Sequence, residues 1–196
     1  MDNYDAMLAA AQRRFTTYDM NALSRKNGVE DLGDCLRTWF LGQQVSVEKT
    51  TGNITVAGER ATFGQTLAIL DWLCDRKETA FAAEEFCPIG SLPGVYVGGS
   101  GLCMDMARLA AKIHERPEGF VAAYQRLGGN AEALGDMGCR LQIFPDLPMC
   151  LKFYFGDEEF SPSVTLLWDK NILHFVRYET VYYIAGCLQG TLLALI

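Results

Sequence analysis

Three apolar runs near the end of the chain, "CRLQIF" (Cys139 to Phe144), "MCLKFYF" (Met149 to Phe155) and "SVTLLWD" (Ser163 to Asp169), constrain the fold most. Each is short and rich in β-branched or aromatic residues, which is the pattern of a strand. In the middle run Leu151, Phe153 and Phe155 alternate with Cys150, Lys152 and Tyr154, so one face is buried and the other is partly wet. The joining segments, "PDLP" and "GDEEFSP", have hairpin length, so the three runs predict neighbouring antiparallel strands.

The rest of the chain reads mostly as helix. Tyr4, Met7, Leu8, Ala11 and Phe15 recur at helical spacing and predict a helix over 4–17, with Asp2 or Asn3 as its cap. Asp19 is placed to cap a short second helix, and Gly28 falls where a left-handed residue would end it. From Cys35 to Ala57 the pattern turns to β-branched residues punctuated by "LGQQ" and "TTGN", a small antiparallel meander. A helix opens at Thr62 or Gly64 and runs to Asp75; its stripe Phe63, Leu67, Leu70, Leu73 and Cys74, widened by Ile69 and Trp72, makes it central. Irregular chain from Phe86 to Gly101 precedes helices over 102–114 and 118–127, and a closing helix starts at Tyr178. The expected fold class is α+β: one domain over 1–196, divisible into sub-lobes 1–100 and 101–196, with helices on antiparallel sheet.

At 196 residues such a domain removes roughly 70% of its unfolded surface from water, enough for a core without metal or disulfide staples. The net charge of −7 repels phosphate backbones and anionic lipid, so nucleic acid is excluded as an expected partner. The seven cysteines stand singly and no pair is as close as Cys-x-x-Cys, so no zinc, iron–sulfur or thioredoxin-like motif is encoded. With no basic and apolar leader in "MDNYDAMLAAAQRR", the expectation is a cytoplasmic protein with free thiols. Thr180 to Ile196 is 17 residues without a charge, short of the roughly 20 that span a bilayer. It reads as a buried core helix, not a membrane anchor, while Gly186-x-x-x-Gly190 offers a close-packing face for a homodimer.

Two regions are candidate sites. Gly98, Gly99, Ser100 and Gly101 read first as a plain flexible turn; alternatively, as they precede a helix, their backbone N–H groups receive an anion, although the spacing fits no Rossmann fingerprint, P-loop or nucleophile elbow. His174 reads first as structural, since no nucleophile is placed by the sequence; alternatively Trp168, His174 and Tyr178 line an aromatic pocket, with Asp169 orienting the imidazole. The acidic loop Asp157, Glu158 and Glu159 reads first as a solvated hairpin turn with Phe160 folded back as an apolar plug. Alternatively, Asp157, Glu159 and Asp169 act as acid, base or metal ligands near His174. His114 is expected only to complement the end of its helix.

The stretches "GDEEFSPSVTLLWD" and "YETVYYIAGCL", with "LGDMGCRLQIFPDLPMCLKFYF", "SLPGVYVGGSG" and "PEGFVAAYQRLGG" upstream, resemble the domain of unknown function family 3786. The resemblance covers residues 4–196 and is most specific from Asp136 onward. It departs at Ser161, at Trp168 and at Arg177 to Glu179, where the family pattern has Pro, Phe and Pro-Thr-Glu. It implies a cytoplasmic protein of anaerobic bacteria or archaea, without an established activity. Longer relatives carry a four-cysteine iron–sulfur segment, which implies redox or one-carbon metabolism; this chain lacks that segment, so no cluster is carried over.

Three functional expectations follow: a non-catalytic binding or accessory protein with a protein or small-molecule partner; an enzyme built on Asp157, Glu159, Asp169 and His174; and a homo-oligomeric scaffold joined through Gly186 and Gly190. No cofactor is assigned.

Overall fold

The computed structural model describes residues 3–92, 95 and 105–196. The meander is a five-stranded antiparallel sheet of β1 (Glu30–Asp31), β2 (Cys35–Phe40), β3 (Gln43–Glu48), β4 (Ile54–Val56) and β5 (Glu59–Arg60), in chain order. Its β2–β3 turn places Leu41 at φ 48° and Gly42 at φ 70°, the left-handed pair that a two-residue hairpin turn requires. A Cβ on Gly42 would collide with the Leu127 carbonyl, so glycine is required there for space as well as for φ.

The second sheet takes in the three C-terminal runs and two short edges. Its order is β6 (Phe86–Cys87), β10 (Ser163–Asp169), β9 (Leu147–Tyr154), β8 (Met137–Phe144) and β7 (Asn130–Ala131), all antiparallel. Strands β8, β9 and β10 are the three expected from the apolar runs, although the expected alternation fails at Cys150, which is buried, and at Phe155, which is 41% exposed; β6 joins from a distant segment, pairing Cys87 with Trp168. The sheets meet where Leu41 N–H donates to the Ile143 carbonyl at 2.9 Å.

Six helices surround them among the described residues: α1 (Asn3–Thr16), α2 (Met20–Ser24), α3 (Phe63–Asp75), α4 (Ala107–Glu115), α5 (Pro117–Arg126) and α6 (Tyr178–Leu195). This is the expected α+β class. The Asp19 carboxylate caps α2 by accepting the Asn21 N–H. Thr62 and Gln65 form a reciprocal capping box on α3.

Helix α3 is central because it is buried all round: every residue from Thr66 to Cys74 is buried, the carboxylate of Asp71 included. It packs against both α1 and α6. Trp72 stacks on Phe144 with ring centroids 4.5 Å apart, and Phe144 lies 5.1 Å from Phe40, so one aromatic column joins α3 to both sheets. The stacking and the area it buries hold these layers in register.

A further local expectation changes: Phe160 is no plug but is 69% exposed. Arg177 stands at the N-cap of α6 without a side-chain hydrogen bond to the helix. Among the described residues no helix is long and apolar enough to cross a membrane. A Cβ on Gly186 or Gly190 would meet open space, so among the described residues nothing packs against that face of α6.

Candidate functional site

The sequence candidates separate in space. Gly98, Gly99, Ser100 and Gly101 lie outside the described residues. Trp168 is 1% exposed and belongs to the core. Asp169 is fully buried, and its carboxylate accepts the backbone N–H groups of Ala83, Glu84 and Asn171 at 2.8–3.0 Å. It pins the loop before β6, including Glu84 at φ 58°. His174 stands in a short 3-10 turn whose carbonyl accepts the Lys77 N–H, and the Tyr178 hydroxyl lies 3.4 Å from that of Tyr182.

The acidic loop precedes the opposite end of β10. A seven-residue strand spans about 20 Å, so Asp157 and Glu159 do not converge with Asp169 and His174. Their neighbour is the other histidine. His114 Nδ1 accepts the Gly156 N–H at 3.4 Å, and its ring packs edge-on to Phe155. With His114 the loop borders an open cleft of about 590 Å³. Within the loop Asp157 Oδ1 accepts the N–H groups of Glu159 and Phe160, which pulls its pKa down while it stays in water. The carboxylate thus organises its own turn.

A different constellation is buried between α1, α3 and α6. Asp71 and Asp75, four residues apart on α3, project from one helix face. Asp71 Oδ1 accepts Arg14 Nη2 and Arg177 Nη2, both at 2.5 Å, and Asp71 Oδ2 accepts the Thr180 hydroxyl at 2.6 Å. Asp75 accepts Arg14 Nη1 at 2.9 Å and forms an ion pair with Arg177 Nε at 2.7 Å. The Asp71 side chain is only 7% exposed, against 29% for Arg14 and 55% for Arg177. Desolvation works to lower both guanidinium pKa values, but the carboxylates outweigh it and the net shift is upward. Both arginines therefore remain charged.

This network opens on a cavity of about 380 Å³ whose walls are Met7, Ala10, Ala11, Leu67 and Tyr183, with Arg14, Asp71, Arg177 and Glu179 at its polar end. An apolar concavity with a few convergent polar groups is the general form of a small-molecule site. Buried ion networks are expensive to desolvate and give little net stability, which favours a functional use for this one. Arg14 Nε is buried within it without a hydrogen-bond partner.

Sequence reasoning missed this site because its ion pairs join residues 57 and 106 positions apart. One signal was present: Asp71 interrupts "LAILDWLC", and a carboxylate inside a buried helical stripe needs partners. A second buried ion pair, Arg76 with Asp146 at 2.6 Å, ties the β8–β9 turn to the end of α3. Burial pushes the Asp146 pKa up, and Arg76 also lies over the Trp72 ring. No described group of three or more His, Cys, Asp or Glu side chains is arranged to hold a metal ion.

The fold and site define an α+β protein of two antiparallel sheets with a charge-lined apolar cavity among three helices. Residues 19–191 match the domain of unknown function family DUF3786, and the chain belongs to that family. No curated protein and no solved structure matches it.

Proposed function

We propose that the protein is a binding protein whose ligand seat is the cavity between α1, α3 and α6. The ligand class is a small molecule with an apolar body and an anionic end. One observation carries this reading: the Arg177 guanidinium, more than half exposed, is held by two carboxylates at the mouth of an apolar cavity. Asp71 takes Nη2 and Asp75 takes Nε, so Nη1 remains for a ligand oxygen while the side chain is already oriented. A preoriented guanidinium loses less freedom on binding than a mobile one. The redox or one-carbon setting of anaerobes is part of this proposal and rests on the family resemblance.

Calorimetric titration with 3-phenylpropionate and hexanoate tests it. Saturable binding is expected for at least one of them, weakened about tenfold by Arg177→Gln, since a hydrogen bond to a charged group is lost. Absence of binding to both, or equal binding by the variant, would sink the proposal.

A second reading draws on the acidic cleft. Phe160 is 69% and Phe155 41% exposed beside Asp157, Glu158 and Glu159. Aromatic rings left in water next to clustered negative charge suit a protein partner that presents a basic, partly apolar segment.

A further inference from the structure

The cavity's polar end, taken donor by donor, narrows the ligand class. This step rests on the reading of the cavity as a ligand seat. Asp71 is already engaged: both oxygens accept hydrogen bonds, from Arg14, Arg177 and Thr180. Arg14 has both Nη atoms engaged by the two aspartates, and its Nε is shut off from solvent. Two charged groups on the lining remain open to a ligand. One is Arg177 through Nη1; the other is Glu179, exposed in the first turn of α6, with no ion pair among the described residues.

A simple anion placed at Arg177 would therefore also meet the uncompensated Glu179 carboxylate, and like charges at one site are unfavourable. A simple cation placed at Glu179 would meet the Arg177 guanidinium. A molecule that carries both charges, close together on an apolar body, satisfies both groups. We infer that the cavity takes a zwitterion of the amino-acid type, with its carboxylate on Arg177, its ammonium on Glu179 and its apolar side chain against Met7, Ala10, Ala11, Leu67 and Tyr183. The bland role for Glu179 is to complement the N-terminal end of the α6 dipole. That role needs no cavity and predicts no ligand preference.

L-Phenylalanine and 3-phenylpropionate share a ring and a carboxylate and differ by the ammonium group, so calorimetry with both isolates the contribution of Glu179. In the wild-type protein phenylalanine is expected to bind about tenfold more tightly. In Glu179→Gln, an exposed and isosteric change, the preference is expected to vanish, with phenylpropionate binding unchanged or improved. Equal affinity for the two in the wild-type protein would overturn the zwitterion and leave the carboxylate seat standing. A preference that survives Glu179→Gln would overturn the role of Glu179. Failure of both compounds to bind would remove the seat itself and this inference with it.

Discussion

Asp71 shows how much can hang on one side chain. It sits in the most deeply buried helix of the protein, and three donors from two other helices converge on it. Asp71→Ala would leave the partly buried Arg14 without its shortest partner and Thr180 without an acceptor. A loss of about 3 kcal/mol is expected, at the low end of the range for breaking a buried pair because Arg177 is half in water. Urea unfolding would measure it, and a change below about 1 kcal/mol would mean that the arginines find other partners. Asp169 makes a similar point from the opposite side. It was singled out as a candidate acid or ligand next to an imidazole, yet its oxygens hold three backbone N–H groups. Residue type and sequence distance do not distinguish a carboxylate that reacts from one that fastens a loop, since the deciding partners are 85 and 86 positions away.

At the scale of elements, the capping box of α3 gives a clean test because Thr62 is exposed and its role is local. Thr62→Ala is expected to cost about 1 kcal/mol, seen as a shift of the urea midpoint without a change in slope. A change near zero would mean that tertiary packing alone holds the first turn. Such local features were legible in the sequence: the capping residues Asp19 and Thr62, Pro117 opening α5, and the apolar runs of β8, β9 and β10 all depend on neighbours within a few residues. The edge strands β1, β5, β6 and β7 are two residues each, too short for a period, and β6 is recognised only through β10. The site was illegible for the same reason. Its cavity is made where α1, α3 and α6 converge, and no spacing within any one helix announces it. His114 belongs to this class too, reaching the acidic loop across 42 positions.

For the molecule as a whole, thiol chemistry reports on how tightly the layers close. Burial pushes the pKa of Cys74, Cys139 and Cys187 up to about 12 and that of Cys150 to about 11, so almost none of these thiols is ionised near neutrality. The thiolate is the reactive form, so alkylation of the buried Cys74, Cys139 and Cys150 by iodoacetamide at pH 8 is expected to await opening of the fold, while half-buried Cys35 reacts earlier. Mass-spectrometric peptide mapping over time would check the order, and prompt labelling of Cys139 would contradict the closed second sheet. The Asp71 network carries a consequence for synthesis on the ribosome. Arg14 and Asp71 are translated long before Arg177 and Thr180, which arrive 106 and 109 residues after Asp71. Throughout that interval the nascent chain holds an apolar helix without α6 to cover it and a carboxylate lacking two of its three donors. Until the last helix is made, the N-terminal half therefore emerges from the ribosome with its central apolar helix uncovered and the Asp71 carboxylate only partly paired.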